Sequence, residues 1–244
     1  MSTGIDAVIF DWGGTLTAWH DIDFHAESLA LAAAVVAAEE HAGDRQDDVH
    51  THAAKLHAAG STVWGWSRDE QRSATVADLF EVAGLGHDPQ LLSAYRDFWE
   101  PHTLTDPQVR PLWEELRASG IKVGVLSNTL WPREWHRGWF ERDGVLDLVD
   151  GDVYTSEIPW TKPSPHAFEA ALAAVGLSDP SRCVYVGDRL FDDVWGAQNA
   201  GLKAIHIPHS DIPAEQIGHS EGVPDAVAHE LLEIPGIVAR FCSA

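Results

Sequence analysis

Basic residues are scarce in this chain: 16 Lys and Arg stand against 38 Asp and Glu, a formal net charge of −22 at pH 7 over 244 residues. A field of that sign repels nucleic acid and anionic lipid, and no local Lys/Arg cluster overrides it, so neither nucleic acid nor a membrane is expected as a partner. Cysteine is almost absent too. Cys183 and Cys242 lie far apart, without metal-like or redox spacing, which excludes a disulfide framework and fits a reducing compartment. Long hydrophobic runs are missing: the longest alanine-rich stretch, 28–38, is flanked by acids and too short to span a bilayer. The N-terminus runs almost at once into an apolar strand pattern, so we expect no signal peptide and a cytoplasmic location. No fixed-period repeat is present, and one Met beside 11 Trp is a compositional bias without a mechanism.

What is present is an ordinary apolar fraction of 45%, enough for a sizeable core. Ala7-Val8-Ile9-Phe10 delivers Asp11 into the glycine-rich turn Trp12-Gly13-Gly14-Thr15-Leu16-Thr17. A buried parallel strand reads as such a run, and in open α/β sheets reacting groups sit at the carboxyl ends of strands. Asp11 is therefore the first candidate nucleophile. Three later stretches have the same form: Val123-Gly124-Val125-Leu126 before Ser127-Asn128, the Thr161-Lys162-Pro163 loop, and Val184-Tyr185-Val186-Gly187 before Asp188.

That ordered set of carboxylate, hydroxyl, ammonium and acidic cluster resembles the haloacid dehalogenase superfamily of hydrolases, over nearly the whole chain. The resemblance implies a doubly wound, Rossmann-like parallel-sheet α/β core, assigned to 1–17 and 105–244, with an all-helical cap at 18–104. It also implies a Mg²⁺-dependent hydrolase acting through an aspartyl-phosphate on a small phosphorylated molecule, as a monomer or homodimer. Asp11 would attack phosphorus, Lys162 would neutralise the shared charge, and Ser127 with Asn128 would hold phosphoryl oxygens. Thr15 would hold the loop or the nucleophile. Mg²⁺ would be held by Asp11, Asp188 and the backbone carbonyl of Gly13, with Asp193, or Asp192 beside it, orienting its waters.

One departure matters. Phosphatases of this superfamily usually carry a second Asp where this chain has Gly13, and that acid protonates the leaving oxygen and then activates water. The cap is the place to seek a replacement, with His20, His25, His41, His50, His52 and His57 as titrating groups; Gly13→Asp would restore the acid if the turn admits a side chain. Arg68, near Trp64, Trp66 and Arg72, is a candidate for substrate anions. The motif also resembles the branch hydrolysing phosphonoacetaldehyde, where a cap lysine forms a Schiff base, and Lys55 lies in the expected region. A phosphate-binding protein with little turnover is the remaining alternative.

Helical periodicity in the cap predicts helices over 24–41, 47–59, 67–83 and 89–99, broken at Gly43, Gly60, Gly84 and Gly86, with Asp88 or His87 as the last N-terminal signal. In the core we expect a helix from Asp106-Pro107 to Arg117, and an aromatic helix carrying Trp131, Trp135, Trp139 and Phe140 into the core. A Gly151-Asp152 turn follows, then a helix capped by Ser164 and one over 194–200. A surface loop over 208–223, a last helix over 224–233 and an apolar tail complete the reading.

Overall fold

The structure, a computed structural model, describes residues 4–19, 22–43, 47–86, 88–211 and 221–243. The apolar runs become strands β1 (Ala7–Phe10), β2 (Lys122–Ser127), β3 (Gly151–Tyr154) and β4 (Cys183–Gly187). With β5 (Lys203–His206) and β6 (Ala226–Val227) they form an all-parallel sheet ordered β3-β2-β1-β4-β5-β6. Every residue of β1 is buried because both faces are covered. Val8 and Phe10 point into one apolar cluster, Ala7 and Ile9 into the other, as alternation along a doubly covered strand requires.

Chain order reverses at β1, with β2 and β3 to one side and β4 and β5 to the other. Such a switch point opens a crevice beyond the carboxyl ends of the strands. Phe10 is in register with both Val125 and Val186, so the segments that follow β1, β2 and β4 emerge side by side.

Core helices α5 (Val109–Ala118), α6 (Arg133–Arg142), α7 (Pro165–Ala174), α8 (Gly196–Asn199) and α9 (Ile234–Ser243) flank the sheet. Between β1 and α5 the chain forms α1 (Phe24–Ala42), α2 (Val49–Glu70), α3 (Val76–Val82) and α4 (Pro89–Trp99). Their starts are set by side-chain caps: Asp23, Asp48 and Asp88 each accept from backbone N–H groups one turn on, and Thr75 with Asp78 makes a capping box. Asp88 is thus the α4 cap, while His87 lies outside the described residues, as do residues 212–220 of the expected 208–223 loop. The link after α2 ties these helices to the core: Arg72 bridges Trp160, and Ser73 Oγ donates to Ile158 O at 2.5 Å.

Several expected boundaries need correction. Neither Gly60 nor Gly65 breaks α2, because each interior glycine costs only about 1 kcal/mol and the packed helix runs through both. The helix ends instead at Gln71, whose φ of 51° makes a left-handed cap, and α3 starts only at its capping box. Trp64, Trp66 and Arg68 therefore ride on α2. Gly151-Asp152 is not a turn but strand, in register with Gly124-Val125. Ser164 occupies the α7 cap position without a side-chain cap bond. The 194–200 helix is preceded by a wide π-helical turn, Leu190–Trp195. The last helix is α9, not 224–233: Ala226-Val227 pairs with the open edge of β5, and Pro235 sits in the first turn of α9, where its missing N–H costs nothing.

Trp113 carries much of one core face. It is fully buried, with its ring 6.0 Å from Phe10 and 5.7 Å from Phe140. Trp113→Ala should therefore lower stability by about 3–5 kcal/mol in urea denaturation followed by circular dichroism, with Trp113→Phe costing markedly less.

Candidate active site

The turn after β1 is closed by its own backbone: Leu16 and Thr17 N–H groups donate to Trp12 O at 2.9 and 3.0 Å, and Gly14 N–H to Thr17 O at 2.8 Å. Asp11, 5% exposed, anchors to β4 by donating its N–H to Val186 O at 2.8 Å. Gly14 has φ 85°, and a Cβ there would lie 2.3 Å from Asp188 Oδ2, so only glycine lets the two loops approach. Thr15 is fully buried; its hydroxyl has no partner among the described residues, and none joins it to Asp11.

Lys162 is the centre of the arrangement. Its buried Nζ donates to Asp11 Oδ1 at 2.8 Å, Asp193 Oδ1 at 2.7 Å and Tyr185 Oη at 2.8 Å. Tyr185 Oη in turn donates to Leu126 O at 2.8 Å, across the sheet to β2. Asn128 clamps the Lys162 backbone from the end of β2: its Oδ1 accepts from Lys162 N–H at 2.8 Å and its Nδ2 donates to Lys162 O at 3.1 Å. Asn128 thus positions the lysine loop as well as lining the cavity beside Ser127.

The acidic cluster completes the floor. Asp193 is fully buried in the π-helical turn, where its Oδ2 accepts from Arg189 N–H at 2.9 Å. The same turn carries Asp192, which lines the cavity. Arg189 Nη1 lies 3.6 Å from Asp192 Oδ2. Burial, reinforced by Asp193, lifts the Asp11 carboxyl from 3.8 to about 6 against the opposing pull of Lys162. Burial likewise holds Asp188 well above the ordinary carboxylate range, with Arg189 opposing and the Asp193 and Asp11 charges adding to it. For Lys162 burial pulls the pKa down, but the Asp11 and Asp193 charges outweigh it and raise it, so the ammonium stays charged.

Asp11, Asp188 and Asp193 offer oxygens within 4.8 Å of one another, and Asp188 Oδ1 is buried without a partner among the described residues. Four carboxylates, Asp11, Asp188, Asp192 and Asp193, face the two cations Lys162 and Arg189. A buried set of hard oxygens with an orphaned acceptor and surplus negative charge fits a divalent cation.

Above this floor lies a cavity of about 50 Å³ lined by Asp11, Gly13, Ser127, Asn128, Lys162 and Arg189 below. Its upper wall is aromatic, with Trp19, Trp64, Tyr95, Trp99 and Trp131, and includes one carboxyl, Glu27. It adjoins an outer cavity of about 270 Å³ among the inserted helices, which shares Glu27, Trp64 and Tyr95 and reaches His57 and Arg68. Arg68 therefore borders the outer cavity and not the one that holds Asp11.

Several sequence candidates fall elsewhere. Lys55 is exposed and paired with Asp47 at 2.5 Å, lining neither cavity. His25, His41 and His50 are exposed, His52 pairs with Glu39, and His20 lies outside the described residues. No described cap histidine lines the inner cavity. At Gly13 a Cβ would sit 2.7 Å from the Trp19 ring, so Gly13→Asp requires that indole to move. Sequence reasoning passed over Tyr185, Arg189, Glu27 and the Trp19–Trp99 wall. Arg189 had a signal in its place directly after Asp188, whereas Glu27 had none.

An open parallel sheet with buried carboxylates, an ammonium and a hydroxyl converging beyond its strand ends defines a class, the doubly wound α/β proteins with a charged site at the switch point. Residues 5–201 match the family model described as haloacid dehalogenase-like hydrolase, and the chain belongs to that family. Glyceraldehyde 3-phosphate phosphatase of Methanopyrus kandleri is 30% identical over 151 residues, 60% of this chain and 64% of that protein. A phosphatase of Mycobacterium tuberculosis is 36% identical over 137 residues, 56% of this chain and 60% of that one. The chain thus spans less than two thirds of the length of these curated relatives. In fold it is similar to the crystal structure of a 2-haloacid dehalogenase from Pseudomonas syringae, with TM-score 0.66 and 24% identity over 97% of this chain and 99% of that one.

The buried ion cluster makes a pH-dependent stability prediction. Because the folded Asp11 pKa is raised, its contribution is complete below 3.8 and is lost as pH rises through about 6. Lys162→Met removes the cation that restrains this shift, so the loss should extend to higher pH and grow. Chemical denaturation should show the variant about 3–5 kcal/mol less stable than wild type at pH 8 and closer to it at pH 5; an equal deficit at both would contradict this account.

Proposed function

We propose that this protein is a Mg²⁺-dependent phosphatase acting through an aspartyl-phosphate on a small phosphorylated molecule. The observation that carries the reading is Lys162 Nζ, buried and 2.8 Å from Asp11, on the floor of a cavity also lined by Ser127 and Asn128. The phosphatase names of the relatives support the same class of substrate.

In this mechanism the Asp11 carboxylate attacks phosphorus as the leaving oxygen departs, and water then cleaves the acyl phosphate. Lys162 and Arg189 hold the phosphoryl group's negative charge beside the nucleophile. Ser127 and backbone N–H groups at the end of β2 donate to phosphoryl oxygens, and Asn128 keeps Lys162 in place. Thr15 supports the turn. Mg²⁺, with Asp11, Asp188 and the Gly13 carbonyl as its ligands and Asp193 behind them, would supply further neutralisation of the phosphate. Asp193 is already committed to Lys162 and the Arg189 N–H through its two oxygens, which suits support better than direct ligation. Helices α1–α4 act as the cap that encloses the substrate, with Arg68 at the outer mouth. Carbon–phosphorus cleavage through a Schiff base lacks its lysine, since Lys55 borders neither cavity.

Two measurements test this. Asp11→Asn should reduce hydrolysis of p-nitrophenyl phosphate to background while retaining the fold, because an amide is nearly isosteric but does not attack; retained turnover would refute the nucleophile. Mg²⁺ at about 100 times its Kd should stabilise wild type by about 2.7 kcal/mol in thermal melts, and Asp188→Ala should lose most of that gain. Mg²⁺ binding without turnover of any phosphate ester would favour a phosphate-binding protein instead.

A further inference from the structure

We infer that Glu27 of α1 is the proton donor and acceptor of the reaction, doing from the cap what a carboxyl at position 13 would do from the core. This inference rests on the phosphatase reading above.

The place of the missing acid is filled. The Trp19 ring lies where a side chain at Gly13 would begin, 2.7 Å from the Cβ position. Trp19 in turn meets Trp99 at 5.8 Å between ring centroids, and Trp99 Nε1 donates to Glu27 Oε1 at 2.7 Å. One indole, Trp19, thus crowds position 13, while the indole it meets, Trp99, holds a glutamate at the wall of the same cavity. Tyr95 lines the same cavity as Glu27, and the Trp99 bond fixes the position of the carboxyl, as a proton-transfer group needs.

Elimination points the same way. Among the described residues lining the inner cavity, the titratable groups are Asp11, Glu27, Tyr95, Lys162, Arg189 and Asp192. Asp11 is the nucleophile, Asp192 faces Arg189, Lys162 and Arg189 remain cationic, and burial holds the Tyr95 hydroxyl well above its ordinary value of 10.0. Glu27 is left. Burial pushes its carboxyl from 4.5 to about 7, against the lowering effect of the Trp99 hydrogen bond. The groups facing it are Tyr95 on α4, His57 and Arg68 across the outer cavity on α2, and Asp11, Lys162, Arg189 and Asp192 from the core. A group poised near neutrality can both give and take a proton.

The balance of each step is simple. As the Asp11 oxygen–phosphorus bond forms and the phosphorus–alkoxide bond breaks, the Glu27 proton passes to the departing oxygen and leaves a carboxylate. In the second step that carboxylate takes a proton from water as the water oxygen attacks phosphorus and the acyl-phosphate bond breaks. Asp11 returns as carboxylate, Glu27 as acid, and phosphate leaves.

The test compares wild type, Glu27→Gln and Asp11→Asn on benzyl phosphate, whose alkoxide needs a proton, and on p-nitrophenyl phosphate, whose leaving group does not. Wild type should hydrolyse both, with kcat/KM for benzyl phosphate falling as pH rises above about 7. Glu27→Gln should lose benzyl phosphate turnover by about 10²–10⁴-fold and lose that pH limb. With p-nitrophenyl phosphate it should release a burst of product and then stall, with the aspartyl-phosphate trapped on Asp11 by mass spectrometry. Thermal melting of the near-isosteric variant checks its fold. Two outcomes would overturn the inference and leave the phosphatase reading standing: Glu27→Gln matching wild type on benzyl phosphate with an unaltered pH profile, or wild type cleaving p-nitrophenyl phosphate alone. Absence of turnover and of adduct in wild type on both esters would overturn the phosphatase reading itself, and the role of Glu27 with it.

Discussion

One ammonium group holds the centre of this molecule together. Lys162 Nζ lies between Asp11 at the end of β1 and Asp193 in the turn after β4, and its third bond goes to Tyr185, which reaches on to β2. Burying charges is expensive, and such a cluster persists only when every proton finds an acceptor of good geometry. Here all three ammonium protons do. The consequence is positional: three strand ends and the α7 loop are tied to a common point, so the nucleophile candidate and its counter-charge cannot drift apart.

The same cluster is electrostatically incomplete. Asp188 keeps a buried oxygen unpartnered among the described residues, and four acids outnumber two cations around the floor. Burial is the main reason the Asp11 and Asp188 carboxyls are raised, and the neighbouring carboxylates add to it against the pull of Lys162 and Arg189. A site built this way is tense in isolation and relaxes when positive charge arrives, which couples stability to function through the same few atoms.

The wall opposite the floor has a different character. Trp12, Trp19, Trp99, Trp131 and Trp139 meet through edge-to-face, tilted and stacked contacts with centroids 5.0–6.2 Å apart. The tryptophan excess of the composition, without an evident mechanism in the sequence, is spent largely on this joint between the inserted helices and the sheet. Aromatic pairs of this kind add to plain area burial and fix relative orientation. They also make the cavity a place of low polarity, in which a single carboxyl such as Glu27 titrates far from its usual range.

The sequence by itself determines the parallel α/β core and most of the floor residues, because a polar group that ends a short apolar run is found from chain-local pattern alone. Asp11, Ser127 and Asp188 directly follow or close strands, and Lys162 is legible from its loop between two turn signals. The cap starts are legible for the same reason, since Asp23, Asp48 and Asp88 act on N–H groups two or three residues away. Boundaries that depend on distant pairing are not: Ala226-Val227 is a strand only because β5 offers an open edge. The upper wall is likewise a product of tertiary structure. Glu27 reads as a first-turn surface acid, the exposed cap histidines read as better proton carriers, and Trp99 stands 72 residues away from the carboxyl it holds. Only the packing of α1 against α4 decides which of these groups lines the cavity that holds Asp11, because a pKa and a point of contact belong to an environment and not to a residue type.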